Sequence, residues 1–116
     1  MRNDKENLIV NLTSDFALKI IDYSEKLNQL KKYEMASQIF RSGTSIGANI
    51  REAQNAESKK DFIHKFKISA KEADELEYWI LLCERSNHYP NPIGIKDDLV
   101  TIIKVISKII STSKNN

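Results

Sequence analysis

Two polar stripes hold most of the residues in this chain that could do chemistry. On the first, Lys60, His64, Lys67 and Lys71 recur at spacings of four, three and four, so they share one helix face, with Lys59 beside them. A row of ammonium groups attracts phosphate, whether of RNA or of DNA. The same row also suits a solvated surface, or one that meets the acidic surface of a neighbouring subunit. Arg41 and Arg51, earlier in the chain, extend the set of candidate phosphate contacts. On the second stripe, Ser45, Asn49 and Glu52 follow one another at four and three, and Glu72 and Glu75 stand further along. Hydroxyl, amide and carboxylate groups at helical spacing suit a hydrogen-bonded network that fixes the register of helices or subunits. Direct contact with a ligand is the other use of such groups.

Catalytic constellations are sparse. The 2 histidines, His64 and His88, lie beside neither a cysteine nor a spaced pair of acids. The chain has no phosphate-binding glycine loop, no dinucleotide fingerprint and no H-E-x-x-H pair. Glu52, Glu72 and Glu75 could gather as carboxylates, but the E-x-x-H pattern of di-iron bundles is missing. Cys83 continues an apolar stripe and reads as a core residue. Tyr78 and Trp79 adjoin the same stripe and read as core or interface rather than as a stacking platform for bases. The expectation is therefore a protein without catalytic residues, metal or cofactor.

The elements that must position these groups are helices. Leu12, Phe16, Ile20, Tyr23, Leu27 and Leu30 form one amphipathic stripe, giving a helix over about 8–31. Met35, Ile39, Gly43, Ile46, Ile50 and Ala53 form a second, over about 35–54. Within it, Arg41–Ala53 carries small residues where large ones would serve a helix better. Gly43 and Gly47 each cost about 1 kcal/mol relative to alanine, a cost that close approach of a neighbouring helix would offset. Ser58 and Asp61 make a capping box that opens a third helix over about 58–87. Its stripe is Phe62, Phe66, Ala70, Ala73, Leu76, Ile80 and Cys83, widened by Trp79 and Leu82. Two prolines and a glycine punctuate His88–Gly94, and Leu99, Ile102, Ile103, Ile106, Ile109 and Ile110 define a last helix over about 95–112, with Asp97 and Asp98 in its first turn. Short connections between amphipathic helices give an all-α fold, an antiparallel up-down-up-down four-helix bundle occupying 1–116 as a single domain.

The third helix is electrically split. Lys59, Lys60, Lys65, Lys67 and Lys71 crowd its first half, and Glu72, Asp74, Glu75, Glu77 and Glu84 its second. Cations near a helix N-terminus oppose the macrodipole, so helix stability does not explain this order.

Totals set the outer limits. With 116 residues, 41% hydrophobic and 29% charged, the chain can bury one core. A net charge of +2 permits nucleic-acid binding without requiring it. A single cysteine rules out an intramolecular disulfide. The opening residues lack the apolar run of a signal peptide, and no membrane span is visible, so a cytoplasmic location is expected.

The stretches RSGTSIGANIREA and SKKDFIHKFKISAKEADELEYWILL resemble the small bacterial four helix bundle protein family, first read from intervening sequences in large-subunit ribosomal RNA genes. The most specific piece is Ser45-Ile46-Gly47-Ala48-Asn49-Ile50 followed by Glu52. That family is similar to the accessory subunit of diversity-generating retroelements, a homopentameric barrel of four-helix protomers that binds nucleic acid and associates with a reverse transcriptase. The resemblance implies a homo-oligomer, a pentamer, with RNA, DNA or a partner protein as its ligand. It carries no catalytic residues.

Overall fold

The computed structural model describes residues 4–115, with side chains described from Leu8 onward. Four helices follow in order: α1 (Asp4–Gln29), α2 (Tyr33–Ala53), α3 (Lys59–Arg85) and α4 (Ile93–Lys114). Among the described residues there is no strand. Each helix packs on its neighbour in sequence and α4 returns to α1, while among the described residues the diagonal pairs α1–α3 and α2–α4 make no close backbone contact. The bundle is long and narrow, 47 × 21 × 20 Å.

Contacts across the seams show the helix directions. Gly43 and Gly47 of α2 face Ile20 and Thr13 of α1, so rising numbers meet falling ones. Ile46 and Glu52 of α2 meet Ser69 and Lys65 of α3 in the same inverted order. Tyr23 reaches Pro90 and Lys19 reaches Asp98, which sets α4 antiparallel to α1.

The core is built from the apolar stripes. Phe16, Ile20 and Leu27 of α1, Ile39, Ile46 and Ile50 of α2, Phe66, Leu76 and Ile80 of α3, and Leu99, Ile102 and Ile106 of α4 are buried. The cost of glycine in α2 has a local cause. A Cβ on Gly43 would lie 2.7 Å from both γ carbons of buried Ile20, too close for any real contact. A Cβ on Gly47 would lie 3.2 Å from Thr13 Oγ1, whose hydroxyl donates to Ile9 O at 2.8 Å. Both glycines let α1 ride close against the α2 backbone.

Helix ends depart from the sequence reading at several points. The first helix begins at Asp4, earlier than residue 8, and the last begins at Ile93, earlier than residue 95. Asp97 and Asp98 therefore occupy the second turn of α4, not the first. At the end of α1, Lys31 takes a left-handed conformation with φ 64. Its N–H donates to Asn28 O at 2.9 Å, and that of Lys32 to Leu27 O at 2.8 Å. This is the Schellman arrangement usually made with glycine. The helix has unwound by Leu30, so Leu30 is 52% exposed and not part of the core stripe. At the start of α3, Ser58 Oγ accepts from the Asp61 N–H at 3.0 Å, and Asp61 Oδ2 accepts from the Glu57 N–H at 3.3 Å.

Candidate functional site

Because α3 is wedged between α2 and α4, its charged residues divide between two flanks. The flank facing α2 is a closed network. Arg41 of α2 donates to Glu72 Oε2 at 3.0 Å and pairs with Glu75 through its other terminal nitrogen. Ser45 Oγ donates to Arg41 O at 2.8 Å and approaches Glu72 Oε2 at 3.2 Å. Glu75 Oε2 also accepts from the Trp79 indole N–H at 3.2 Å. Further along, Lys65 Nζ meets Glu52 Oε1 at 3.1 Å. Beneath this polar layer, Ser69 is fully buried and its hydroxyl donates to Ile46 O at 2.9 Å, tying a side chain of α3 to the backbone of α2.

The second sequence stripe thus assembles as an interhelical network, with two adjustments. Asn49 does not cross to α3: its amide donates to Ser45 O, 2.9 Å away on its own helix. Arg41, expected among the phosphate contacts, is instead held by two carboxylates of α3 and completes this network. The apolar spacing passed over Ser69 in favour of Ala70, since a hydroxyl hides a core position from a hydrophobic pattern. The signal was the spacing Phe66, Ser69, Ala73, Leu76, which is helical when serine is admitted.

The flank facing α4 is different in kind. Lys59, Lys60, Ile63, His64 and Lys67 of α3 form an open groove of about 560 Å³ together with Lys114 from the last turn of α4. Lys59, Lys60, His64 and Lys67 are exposed. Among the described residues none of these lysines has a carboxylate within ion-pairing distance. Four ammonium groups therefore converge beside the α3 N-terminus, itself partially positive, with no ion-pair partner among the described residues. The apolar lining from Ile63 supports the lysine stems. Lys114 was not among the sequence candidates: it lies 47 positions from Lys67 in the chain, and only the antiparallel return of α4 brings it here. Lys71 is exposed one turn beyond the groove and does not line it. Arg51 is exposed on α2 and also stands apart from it.

Beyond the two flanks, the far end of α3 is held by an uncharged contact. Tyr23 donates its hydroxyl to Pro90 O at 2.7 Å, anchoring the α3–α4 connection. Burial, with the Cys83 thiol alongside, holds the Tyr23 hydroxyl far above the ordinary tyrosine range, and burial raises Cys83 as well. Among the described residues no three His, Cys, Asp or Glu side chains cluster as a metal site would need, and no helix is long and apolar enough to cross a membrane.

Fold and surface together define a small helical-bundle protein with an ion-paired flank and a basic groove. Residues 5–112 match the family described as 23S rRNA-intervening sequence protein, and the chain belongs to that family. It is also similar to a protein of unknown function from the S23 ribosomal protein family of Bacteroides thetaiotaomicron, whose crystal structure is known at 1.70 Å resolution. The two are 42% identical, with 88% of this chain and 97% of that one covered and a TM-score of 0.84. No curated protein matches the chain.

Proposed function

We propose that the chain is a non-enzymatic accessory or scaffolding protein that acts in the cytoplasm as a homo-oligomer and holds the phosphates of RNA or DNA in the lysine groove. The observation that carries this reading is the convergence of Lys59, Lys60, Lys67 and Lys114 with no acid among the described side chains to balance them. Acids are abundant on the same helix, so the groove is not basic for want of partners. The resemblance of the family to the accessory subunit of diversity-generating retroelements, drawn from sequence, is in keeping with this reading, that of a pentamer that serves an enzyme. In such a ring the formal charge would sum to about +10 if each protomer keeps its +2.

A second reading has one observation in its favour. Asp74 and Glu77, in the second half of α3, are exposed and unpaired among the described residues. The lysines of one subunit could then meet these acids of another, which would make the protein an adaptor with no nucleic-acid ligand.

Titration of labelled structured RNA and duplex DNA across a salt series separates the two. Each phosphate neutralised on duplex DNA contributes a slope of about −0.9 to log affinity against log salt, so four lysines predict a slope of roughly −3.6 per protomer. Absence of binding at low salt, with the fold and mass of the protein unchanged, would remove the nucleic-acid reading and leave the adaptor.

A further inference from the structure

At the end of the bundle away from the lysine groove, a cavity of about 690 Å³ opens between α2 and α3. Three aromatic side chains from three segments line it: Tyr33 from the first turn of α2, Trp79 from the second half of α3, and Tyr89 from the α3–α4 connection. Two of these rings are held in place. The Trp79 indole N–H donates to Glu75 Oε2 at 3.2 Å, and Lys32 Nζ stands 5.1 Å from the centre of the Tyr89 ring. The connection that carries Tyr89 is itself pinned where Tyr23 donates to Pro90 O. The third ring, Tyr33, is 59% exposed.

Apart from Met35, the rest of the lining is polar: Glu34, Ser37 and Gln38. Glu34 has no ion-pair partner among the described residues. Gln38 turns its carbonyl toward Arg41 at 3.5 Å, which leaves its amide N–H groups to a ligand. A carboxylate, a hydroxyl and an amide thus set both acceptors and donors beside the rings.

Occupants differ in how much of this lining they use. A hydrocarbon side chain would use the rings and leave the three hydrogen-bonding groups idle. A cation would gain from the rings and from Glu34, but the ammonium of Lys32 already stands over Tyr89. A nucleobase uses the whole lining. It is flat and uncharged, its face stacks on aromatic rings, and its edge carries donors and acceptors. In a duplex that face and edge are taken by neighbouring bases, so the base must be unpaired.

We infer that the cavity takes an unpaired base of a single-stranded nucleic acid, stacked on the aromatic lining with its polar edge toward Glu34, Ser37 and Gln38. This inference rests on the nucleic-acid reading above and adds to it a preference for single strands. Lys67 and Trp79 lie 12 positions apart on α3, about 18 Å along the helix at ~1.5 Å per residue. A strand that crosses α3 can therefore be held by its phosphates in the groove and by a base in the cavity.

The test uses the full chain, with Trp79, its single tryptophan, as the reporter. A labelled single-stranded RNA of mixed sequence is titrated beside the same RNA annealed to its complement. Its length is about 12 nucleotides, within the range that a small single-strand-binding domain covers. Anisotropy of the label reports binding anywhere on the protein. The single strand should quench Trp79 emission, and the duplex should not. Tyr33→Ala should weaken single-strand binding by roughly 5- to 100-fold, the range for loss of one stacking partner, and leave duplex affinity unchanged. Tyr78 adjoins Trp79 and is 55% exposed but does not line the cavity, so Tyr78→Ala should change neither affinity. Circular dichroism checks that both variants fold, and the emission of the wild-type chain needs no variant. Single-strand binding that leaves Trp79 emission unmoved and is insensitive to Tyr33→Ala overturns this inference and keeps the nucleic-acid reading. Binding of neither RNA overturns both. Quenching by free nucleoside monophosphates, with none by the strand, overturns the strand as the source of the base.

Discussion

The two flanks of α3 draw on the same residue types and end in opposite states. Toward α2, Glu72 and Glu75 are met by Arg41, and Glu52 by Lys65, so charge is spent on the register of two helices. Toward α4, Lys59, Lys60 and Lys67 gather with Lys114 and have no ion-pair partner among the described residues. Ion pairs this exposed add little stability individually, on the order of 0.2–1 kcal/mol. The contrast therefore says less about how firmly the bundle holds than about which surface is finished and which is open to a partner.

The largest effect should come from reversing the open flank. Lys60→Glu with Lys67→Glu is expected to lower affinity for RNA or duplex DNA about 100-fold at low salt, and to flatten the salt slope by roughly 2. The midpoint of thermal unfolding should stay within a few degrees. A collapse of the fold instead would show that the lysines serve the bundle.

Tyr23→Phe probes the far end of α3, away from the Arg41 network and the lysine groove. Losing the hydrogen bond to Pro90 should cost about 1.5 kcal/mol in denaturant unfolding at neutral pH. The sign with pH follows from burial. The hydroxyl of folded Tyr23 titrates above the unfolded value of about 10, so the folded state retains a proton that the unfolded chain releases. The stability it contributes is complete below about pH 10 and declines as pH rises beyond it. Cys83, raised in the same way, begins the decline from its own unfolded value of about 8.5. Comparing wild type with Tyr23→Phe from pH 8 to 11 should show a shallower alkaline decline in the variant.

Within the finished flank, Ser69→Ala removes the buried bond to Ile46 O and should cost about 1 kcal/mol, with affinity for nucleic acid unchanged. Arg41→Ala should have the smallest effect, about 0.5 kcal/mol, from the loss of its half-exposed pairs with Glu72 and Glu75. It also gives the sharpest comparison. Loss of binding in Arg41→Ala equal to that of the lysine reversals would mean that the two flanks form one surface.

What could be read from the sequence was set by how local the cause is. The helices announced themselves by period, and Ser58 with Asp61 marked the start of α3 because a cap lies within one turn. The polar stripe of Ser45, Asn49 and Glu52 was legible for the same reason. Lys31 was not: the α1–α2 turn has no glycine or proline, since a lysine adopts the left-handed conformation that glycine usually supplies. Leu30 was misplaced as a consequence, because the stripe continues in sequence after the helix has ended. Arg41 and Lys114 show a different limit. Nothing near Arg41 in the chain says that Glu72 and Glu75 will lie against it, and nothing near Lys114 says that it will join Lys60. Those facts belong to the packing of α2 on α3 and of α4 on α3.

The absence of diagonal contacts bears on how the chain acquires its shape. Every seam but one joins helices adjacent in sequence, so the loops to be closed are short and their entropic cost is small. Topologies of this kind fold fast. During synthesis, α1 and α2 can pair through Gly43 and Gly47 as soon as both have emerged, and α3 can dock on α2 before α4 exists. The arrival of α4 is the closing event. It covers α3 and α1 together, and with Lys114 it completes the basic groove last of all.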